Sequence, residues 1–464
     1  ADCAADLIIY GMGEKPVVEV ARMLEQGASV EELALLPQMV SRVPLHLVPD
    51  ADDDNIILSS FSDCLANKSK QAANFKHIEQ QSNRYHGATL WQSHDKWAVR
   101  VTPMYPPMTS EEIDASFDLP YTRMPHPRYR GKRIPAYDMI KFSVNMHRGC
   151  FGGCAFCTIS AHQGKFIASR SPESILREVK AITAMPDFKG YLSDLGGPSA
   201  NMYGMHGRDL TKCHRCLRPS CLHPVVCPNL DTDHTALLDL YHRVDSVKGI
   251  KKSFIGSGVR YDLSIHTNGD SRHDAANMRY NRELISRHVS GRLKVAPEHT
   301  EQHVLDIMRK PSFDLYYRFK EIFDDVNRRE GLRQQLIPYF ISSHPGCHEI
   351  DMAELAVKTR DLDLHLEQVQ DFTPTPMTLA TEIYYTGIHP YTGKKVFTAI
   401  TPAEKLAQRQ YFFWYDRTYR SGIVSSLRRL HRPDLIARLF PGGVGYRPAP
   451  MQANNQKSQY KKRK

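Results

Sequence analysis

His147-Arg148-Gly149-Cys150-Phe151-Gly152-Gly153-Cys154-Ala155-Phe156-Cys157 packs three cysteines into a C-x3-C-x2-C array, with glycines beside them and an aromatic just before the last. Three thiolates this close along the chain can wrap one metal group. A structural zinc ion takes four protein ligands, so three fit it poorly. A 4Fe–4S cluster held by three cysteines leaves one iron open, and a small molecule carrying an amine and a carboxylate can chelate that iron. The plainer readings are three unrelated thiols in a loop, or part of a zinc site completed by His147 or His162. The glycines argue against unrelated thiols, because they let backbone fold closely round a ligand.

Outward from this stretch the pattern is regular. Short apolar runs at Ile140–Met146, Tyr191–Leu195, Phe254–Gly256, Leu293–Ala296, Leu336–Ile341 and Leu366–Phe372 alternate with helix candidates at 172–185, 234–248, 274–289, 300–309 or 314–330, and 350–363. Such alternation implies parallel strands joined by helical crossovers. The expected class is α/β, with a partial (β/α)6 barrel. Active sites of barrels form at the C-terminal ends of the strands. The three-cysteine loop follows the first strand and therefore belongs to that face. Gly196-Gly197-Pro198 ends the second strand, Ser257 the third, Glu298 the fourth, and Ser342-Ser343-His344-Pro345-Gly346 the fifth.

A second group, Cys213, Cys216, Cys221 and Cys227, lies in the long loop after the second strand. Four thiolates saturate either a zinc ion or a second iron–sulfur cluster. The closing Cys227-Pro228 and the early C-x2-C look like ferredoxin segments, and zinc knobs more often use two separated pairs. Free or redox thiols are the remaining reading, and His214 or His223 is able to replace a cysteine. Cys3, Cys64 and Cys347 stand alone and are expected to be small buried hydrophobes.

Composition bounds the rest. A chain of 464 residues with 41% hydrophobic and 24% charged residues suits a multidomain globular protein. No apolar run reaches the about 18 residues that a membrane helix needs, so no membrane association is expected. Ten cysteines, clustered at short spacings, read as metal binding in a reducing, cytoplasmic compartment rather than a disulfide scaffold. The net charge of +10 hints at nucleic acid, but Lys457, Lys461, Lys462, Arg463 and Lys464 supply half of it in an expected disordered tail. There are 22 histidines but no H-E-x-x-H spacing. His147 and His162 are placed to tune the first cluster as donors.

The expected domains are a truncated Rossmann-like α/β segment at 1–50, a proline-rich linker at 51–138, the barrel at 139–376 with a cysteine-rich insertion at 199–233, a helical C-terminal extension at 377–448 and a basic tail at 449–464. Residues 6–26 read as strand, glycine turn and helix, with Pro16 in the first turn. Because Ala1 is followed almost directly by a strand-like run, an upstream part of a longer protein is expected. Lys405–Tyr419 reads as an aromatic helix packed in a core, and Ser425–Phe440 as a second helix. Gly442-Gly443-Val444-Gly445-Tyr446-Arg447-Pro448 is expected to end the fold.

In spacing and in its aromatic position, 147–157 resembles the signature of radical S-adenosylmethionine (SAM) enzymes. Further stretches are Tyr10–Glu14, Leu119–Pro127, His162–Lys165, Gly196–Met205, Arg218–Cys221, Ala296–Thr300 and Asp371–Met377. With them the chain resembles YgiQ-type radical SAM proteins over nearly all its length, without their N-terminal region. The resemblance implies a radical SAM barrel. It implies that Cys150, Cys154 and Cys157 hold a 4Fe–4S cluster and that its open iron takes the amine and carboxylate of SAM. Backbone at Gly196 and Gly197 would receive the SAM amino group. Ser257 and Glu298 would serve its ribose and methionine portions, and the 342–346 turn would pack near adenine. Pro198 stands where the family has Glu, which leaves the backbone role and removes a carboxylate. Gly11-Met12-Gly13-Glu14 resembles the Gly-Glu-Gly-Glu turn closing the cobalamin domain of some such enzymes; Met12 departs from it and weakens the implication of cobalamin. The expected reaction is reductive cleavage of SAM and abstraction of a substrate hydrogen. The expected partners are a flavodoxin- or ferredoxin-type reductant and, by distant analogy with methylthiotransferases, RNA or a small metabolite as substrate. The alternatives are a non-catalytic iron–sulfur electron carrier and a zinc-stabilised nucleic-acid-binding module.

Overall fold

Residues 7–101 build a five-stranded mixed sheet before the parallel strands begin. A computed structural model describes residues 5–442. The sheet strands are β1 (Leu7–Ile9), β2 (Met39–Pro44), β3 (Asn55–Leu58), β4 (Thr89–His94) and β5 (Trp97–Val101), in the order β1-β2-β5-β4-β3. All neighbours are antiparallel except β3 and β4. A two-residue turn closes the β4–β5 hairpin, with Asp95 at φ 50°, a conformation short hairpin turns demand and Asp tolerates.

This corrects two expectations. A Rossmann-like unit would pair β1 with a parallel neighbour, whereas β1 lies antiparallel to β2. The buried amide of Gln38 enforces the return: its Nε2 donates to Tyr10 O (2.8 Å) and Met12 O (3.0 Å), while its backbone N donates to Pro103 O (2.9 Å). The sheet also runs across residue 50, so 51–101 is not linker. The irregular proline-rich path starts only at Pro103, after β5.

The strands that follow are β6 (Ser143–Asn145), β7 (His147–Arg148), β8 (Ala168–Ser169), β9 (Tyr191–Leu192), β10 (Asp194–Gly196), β11 (Lys252–Ser253), β12 (Arg292–Glu298), β13 (Gln335–Ser342) and β14 (Gln368–Asp371). β6 pairs parallel with β10, β9 with β11, and β12 with β13 and then β14. Leu195 N to Phe254 O (2.8 Å), Ile255 N to His288 O (3.0 Å) and a parallel bridge between Val259 and Val295 join the pieces in chain order. The short β7–β8 pair is antiparallel and flanks the cysteine loop.

Helices separate these strands. Pro172–Thr183 shows why: Ser171 caps it by accepting from Ser174 N, Pro172 opens it, and Ile175, Val179 and Ile182 fall on one face. That face is fully buried in the same core as Val144, Leu192 and Leu195. Full burial of each such side chain stabilises by about 1.5–3 kcal/mol. Both helices weighed near 300–330 form, as Gln302–Met308 and Asp314–Arg329.

The C-terminal helices differ from their expected bounds. The aromatic run is not one helix but Pro402–Arg409, a 3-10 turn at Gln410–Phe413, and Arg417–Arg429, restarted where Asp416 caps Thr418 N. Pro433–Leu439 follows, opened by its proline. Tyr411 and Phe412 are fully buried, so the run packs in the core. Cys3, the 443–448 part of the terminal glycine motif and the basic tail lie outside the described residues.

The helix Lys68–Ser82 ties the mixed sheet to the rest. Glu79 receives both guanidinium donors of buried Arg309 (2.7 and 2.9 Å) and the hydroxyl of Tyr391 (2.6 Å). Removing one partner of a buried pair costs far more than the pair contributes. Glu79→Ala is expected to destabilise the chain by about 3–5 kcal/mol in denaturant unfolding; a change within experimental error would contradict this docking role.

Candidate metal and cofactor site

The cysteine loop closes because three segments approach its backbone. Cys150 N donates to Gly164 O (3.1 Å), Ala155 N to Met308 O (2.9 Å), and Ala380 N to Ala155 O (2.8 Å). Gly153 adopts φ 58°, and a Cβ there would stand 2.4 Å from Pro219 O. Only glycine permits that contact. Cys150, Cys154 and Cys157 are each half-buried. Burial pushes the Cys150 thiol up to about 11 and Cys157 to about 12, and the neighbouring thiols push the same way. Thiols held this high need a metal or a cation to ionise at neutral pH.

A cation is present. Arg260 Nη1 reaches Cys154 Sγ at 3.5 Å, while its Nε and Nη2 donate to Asp262 at 2.8 and 2.5 Å. Burial opposes the Arg260 charge, but Asp262 more than restores it and pushes its pKa up; Arg260 in turn holds Asp262 low against burial. A fixed positive group beside buried thiols favours an anionic thiolate assembly. Sequence reading missed Arg260 and Asp262, because an arginine in Gly-Ser-Gly-Val-Arg carries no spacing signal.

Of the residues expected to serve SAM, Gly196 and Ser257 stand side by side, after β10 and β11. Ser257 Oγ donates to Asp194 Oδ2, while Asp194 Oδ1 accepts from Gly256 N (2.8 Å) and Ser257 N (3.1 Å). Asp194, also missed, thereby fixes the turn after β11 to β10. Gly196 faces Ser257 Oγ, and a Cβ at Gly197 would meet the His147 ring at 2.5 Å. His147 Nε2 bonds Ser199 O (2.9 Å), so its ring braces the loop after β10 and does not point to the thiols.

Glu298 is buried at φ 69°, where β12 slips register against β13, and Ser343 is at φ 59° at the end of β13. Left-handed backbone at non-glycine residues is strained and collects at functional sites. Lys310 Nζ lies 3.7 Å from Glu298 Oε1, and Glu298 Oε2 has no hydrogen-bond partner. Burial raises the Glu298 pKa against the pull of Lys310 and Arg260. Ser199 Oγ, Ser343 Oγ and His344 Nε2 are likewise buried and unpartnered. Four orphaned polar atoms at the ends of β10, β12 and β13 fit a bound polar molecule, since buried polar groups ordinarily find partners. Phe156 packs edge-on against His344, with ring centroids 5.9 Å apart. The cleft at Cys154 and Cys157 is also lined by Glu79, Asn83, Ser160 and Thr378, so the Lys68–Ser82 helix and the 377–379 segment cover the thiols. Glu14 of the Gly11–Glu14 turn pairs with Arg148 at 3.4 Å.

Among the described residues, no three His, Cys, Asp or Glu side chains are grouped closely enough to hold a single metal ion. Tetrahedral zinc thiolates would place sulfurs about 3.8 Å apart; a four-iron cluster spans its ligands more widely. The described residues contain no helix long and apolar enough to cross a membrane.

Burial holds three core histidines neutral: His234 and His344 fall to about 4 and His299 to about 3. A folded pKa below the unfolded value of about 6.5 gives stability that is complete above that pH and lost as pH falls toward the folded value. Each of the three is expected to cost about 1.4 kcal/mol per pH unit between about pH 6.5 and about pH 4. Denaturant midpoints measured across that range should fall steeply; a flat profile would contradict the neutral burial.

A family model described as Radical SAM N-terminal matches residues 1–143. A UPF0313 protein of Bacteroides thetaiotaomicron is 62% identical over 451 residues, covering 95% of this chain and 72% of the relative. One from Porphyromonas gingivalis is 59% identical over 94% of this chain and 69% of its own length. One from Methanocella arvoryzae is 42% identical over 94% and 70%. Among solved structures, the radical SAM methyltransferase TsrM from Kitasatospora setae, with cobalamin and a [4Fe-4S] cluster bound, aligns at TM-score 0.42 and 13% identity over 82% of this chain; the chain spans 54% of that protein's length.

Proposed function

The chain belongs to the UPF0313 family and is a radical SAM superfamily enzyme, and from that premise we propose that it cleaves SAM reductively on a 4Fe–4S cluster held by Cys150, Cys154 and Cys157. The observation that carries this reading is the closed glycine loop, which gathers three cysteines and sets Cys154 Sγ 3.5 Å from the Arg260 guanidinium. The parallel pairings in chain order read as an open (β/α)6 barrel, with this loop at its C-terminal mouth. When bound, the cluster and SAM supply a 5′-deoxyadenosyl radical able to take a hydrogen atom from a substrate.

The chain's own residues then have separable tasks. Arg260, fixed by Asp262, offsets the negative charge of the thiolates. Gly196 and Gly197 present backbone close to the loop because no side chain intervenes. Ser257, locked by Asp194, and Glu298, with one free carboxylate oxygen, offer acceptors to the amine and hydroxyl groups of SAM. The Lys68–Ser82 helix limits water at the thiols, which protects a reactive radical from side reactions. A one-electron donor of flavodoxin or ferredoxin type completes the system.

The test uses anaerobically purified, iron-reconstituted full chain, reduced and given SAM. The wild type is expected to release 5′-deoxyadenosine and Cys150→Ala none; no release from the iron-loaded wild type, even with cell extract added as substrate source, would contradict the proposal. Glu298→Gln is expected to weaken SAM binding about 10-fold to 100-fold, as for loss of a charged hydrogen bond. Equilibrium binding of SAM measures this, and unchanged affinity would remove Glu298 from the site.

A further inference from the structure

The cysteine-rich insertion is docked directly on the first cysteine loop. Cys221 N donates to Phe151 O (3.0 Å), and Ser220 Oγ donates to Gly152 O (2.7 Å). Phe151, Met202, Met205, Leu222 and Leu263 form one small apolar cluster against which Cys150, Cys221 and Cys227 all pack. The insertion is thus a structured wall of the same site, not a loose excursion.

Its four thiols are gathered by local backbone bonds. Cys216 N donates to Cys213 O (3.1 Å), Cys227 N to Cys221 O (2.7 Å), and Asn229 Nδ2 to Cys213 Sγ (3.3 Å). All four are half-buried and none forms a disulfide.

In their midst stands Lys165, only 2% exposed. Its ammonium donates to Arg218 O (2.8 Å) and to Cys216 Sγ (3.6 Å), and no carboxylate pairs with it among the described residues. A buried ammonium is costly unless an anion faces it. The group facing it that is able to become anionic is the Cys216 thiol, and metal coordination is what makes buried thiols anionic. The single run of four thiols, closed by Cys227-Pro228, favours an iron–sulfur cluster over zinc, whose knobs more often use two separated pairs.

We propose that Cys213, Cys216, Cys221 and Cys227 hold a second 4Fe–4S cluster, with Lys165 as its buried counter-charge, beside the first. This goes beyond the reading of Cys150, Cys154 and Cys157 and stands or falls separately from it. Lys165 is a positioning and tuning residue: a fixed cation stabilises the more negative, reduced state of the cluster.

Iron and acid-labile sulfide are counted in the reconstituted full chain, in the triple variant Cys150→Ala, Cys154→Ala, Cys157→Ala, and in the quadruple variant Cys213→Ala, Cys216→Ala, Cys221→Ala, Cys227→Ala. The wild type is expected to hold about eight irons and each variant about four. Loss of all iron from the triple variant would overturn the proposal, as would about one zinc per chain there in place of iron. In the triple-variant background, Lys165→Met is expected to keep the iron and move its reduction potential to more negative values. An unchanged potential would overturn the role of Lys165.

Discussion

Burying three thiols in one short loop is the constraint on which the rest of the molecule depends. Thiolates repel one another and lose their solvation, so they need a counter-charge and a rigid cage. Arg260 supplies the charge, and its orientation depends on Asp262. The cage is made of backbone bonds from distant parts of the chain: Gly164, Met308, Ala380 and Cys221 each bond the loop or its immediate neighbours. The parallel strands, the insertion and the C-terminal segment converge there. The loop is a hub as much as a ligand set.

Strain is concentrated round this hub. Glu298 and Ser343, at the ends of adjacent strands, both take left-handed backbone, and both carry a buried side-chain atom with no partner. Neither arrangement favours the folded chain by itself. The surrounding core, with Phe340, Tyr316 and Phe319 fully buried, holds them in place. A ligand that satisfied those atoms would return the lost hydrogen bonds as binding energy.

The helix and strand alternation after residue 139 was legible, because apolar runs and helical stretches alternate with few interruptions and the caps are marked by Ser171 and Pro172. Both cysteine groups stand out by their spacing, and the fold packs Cys150, Cys221 and Cys227 against one apolar cluster. The N-terminal sheet was not legible: β1 has three residues, and its antiparallel partner is set by one glutamine side chain. Arg260, Asp194 and the Glu79–Arg309 pair were invisible for a related reason. Their roles come from contacts across dozens to hundreds of positions, which no local pattern encodes. The aromatic run at 411–415 looked continuous because nothing in it breaks a helix; the break comes from the Asp416 cap just beyond.

The central claim is that the three-cysteine site leaves one iron free for the amine and carboxylate of SAM. The most direct measurement is electron paramagnetic resonance of the reduced, reconstituted chain with SAM isotopically labelled in its carboxylate. The account predicts that SAM alters the cluster signal and that the label adds hyperfine coupling, both absent in the triple variant. A signal indifferent to SAM would contradict it.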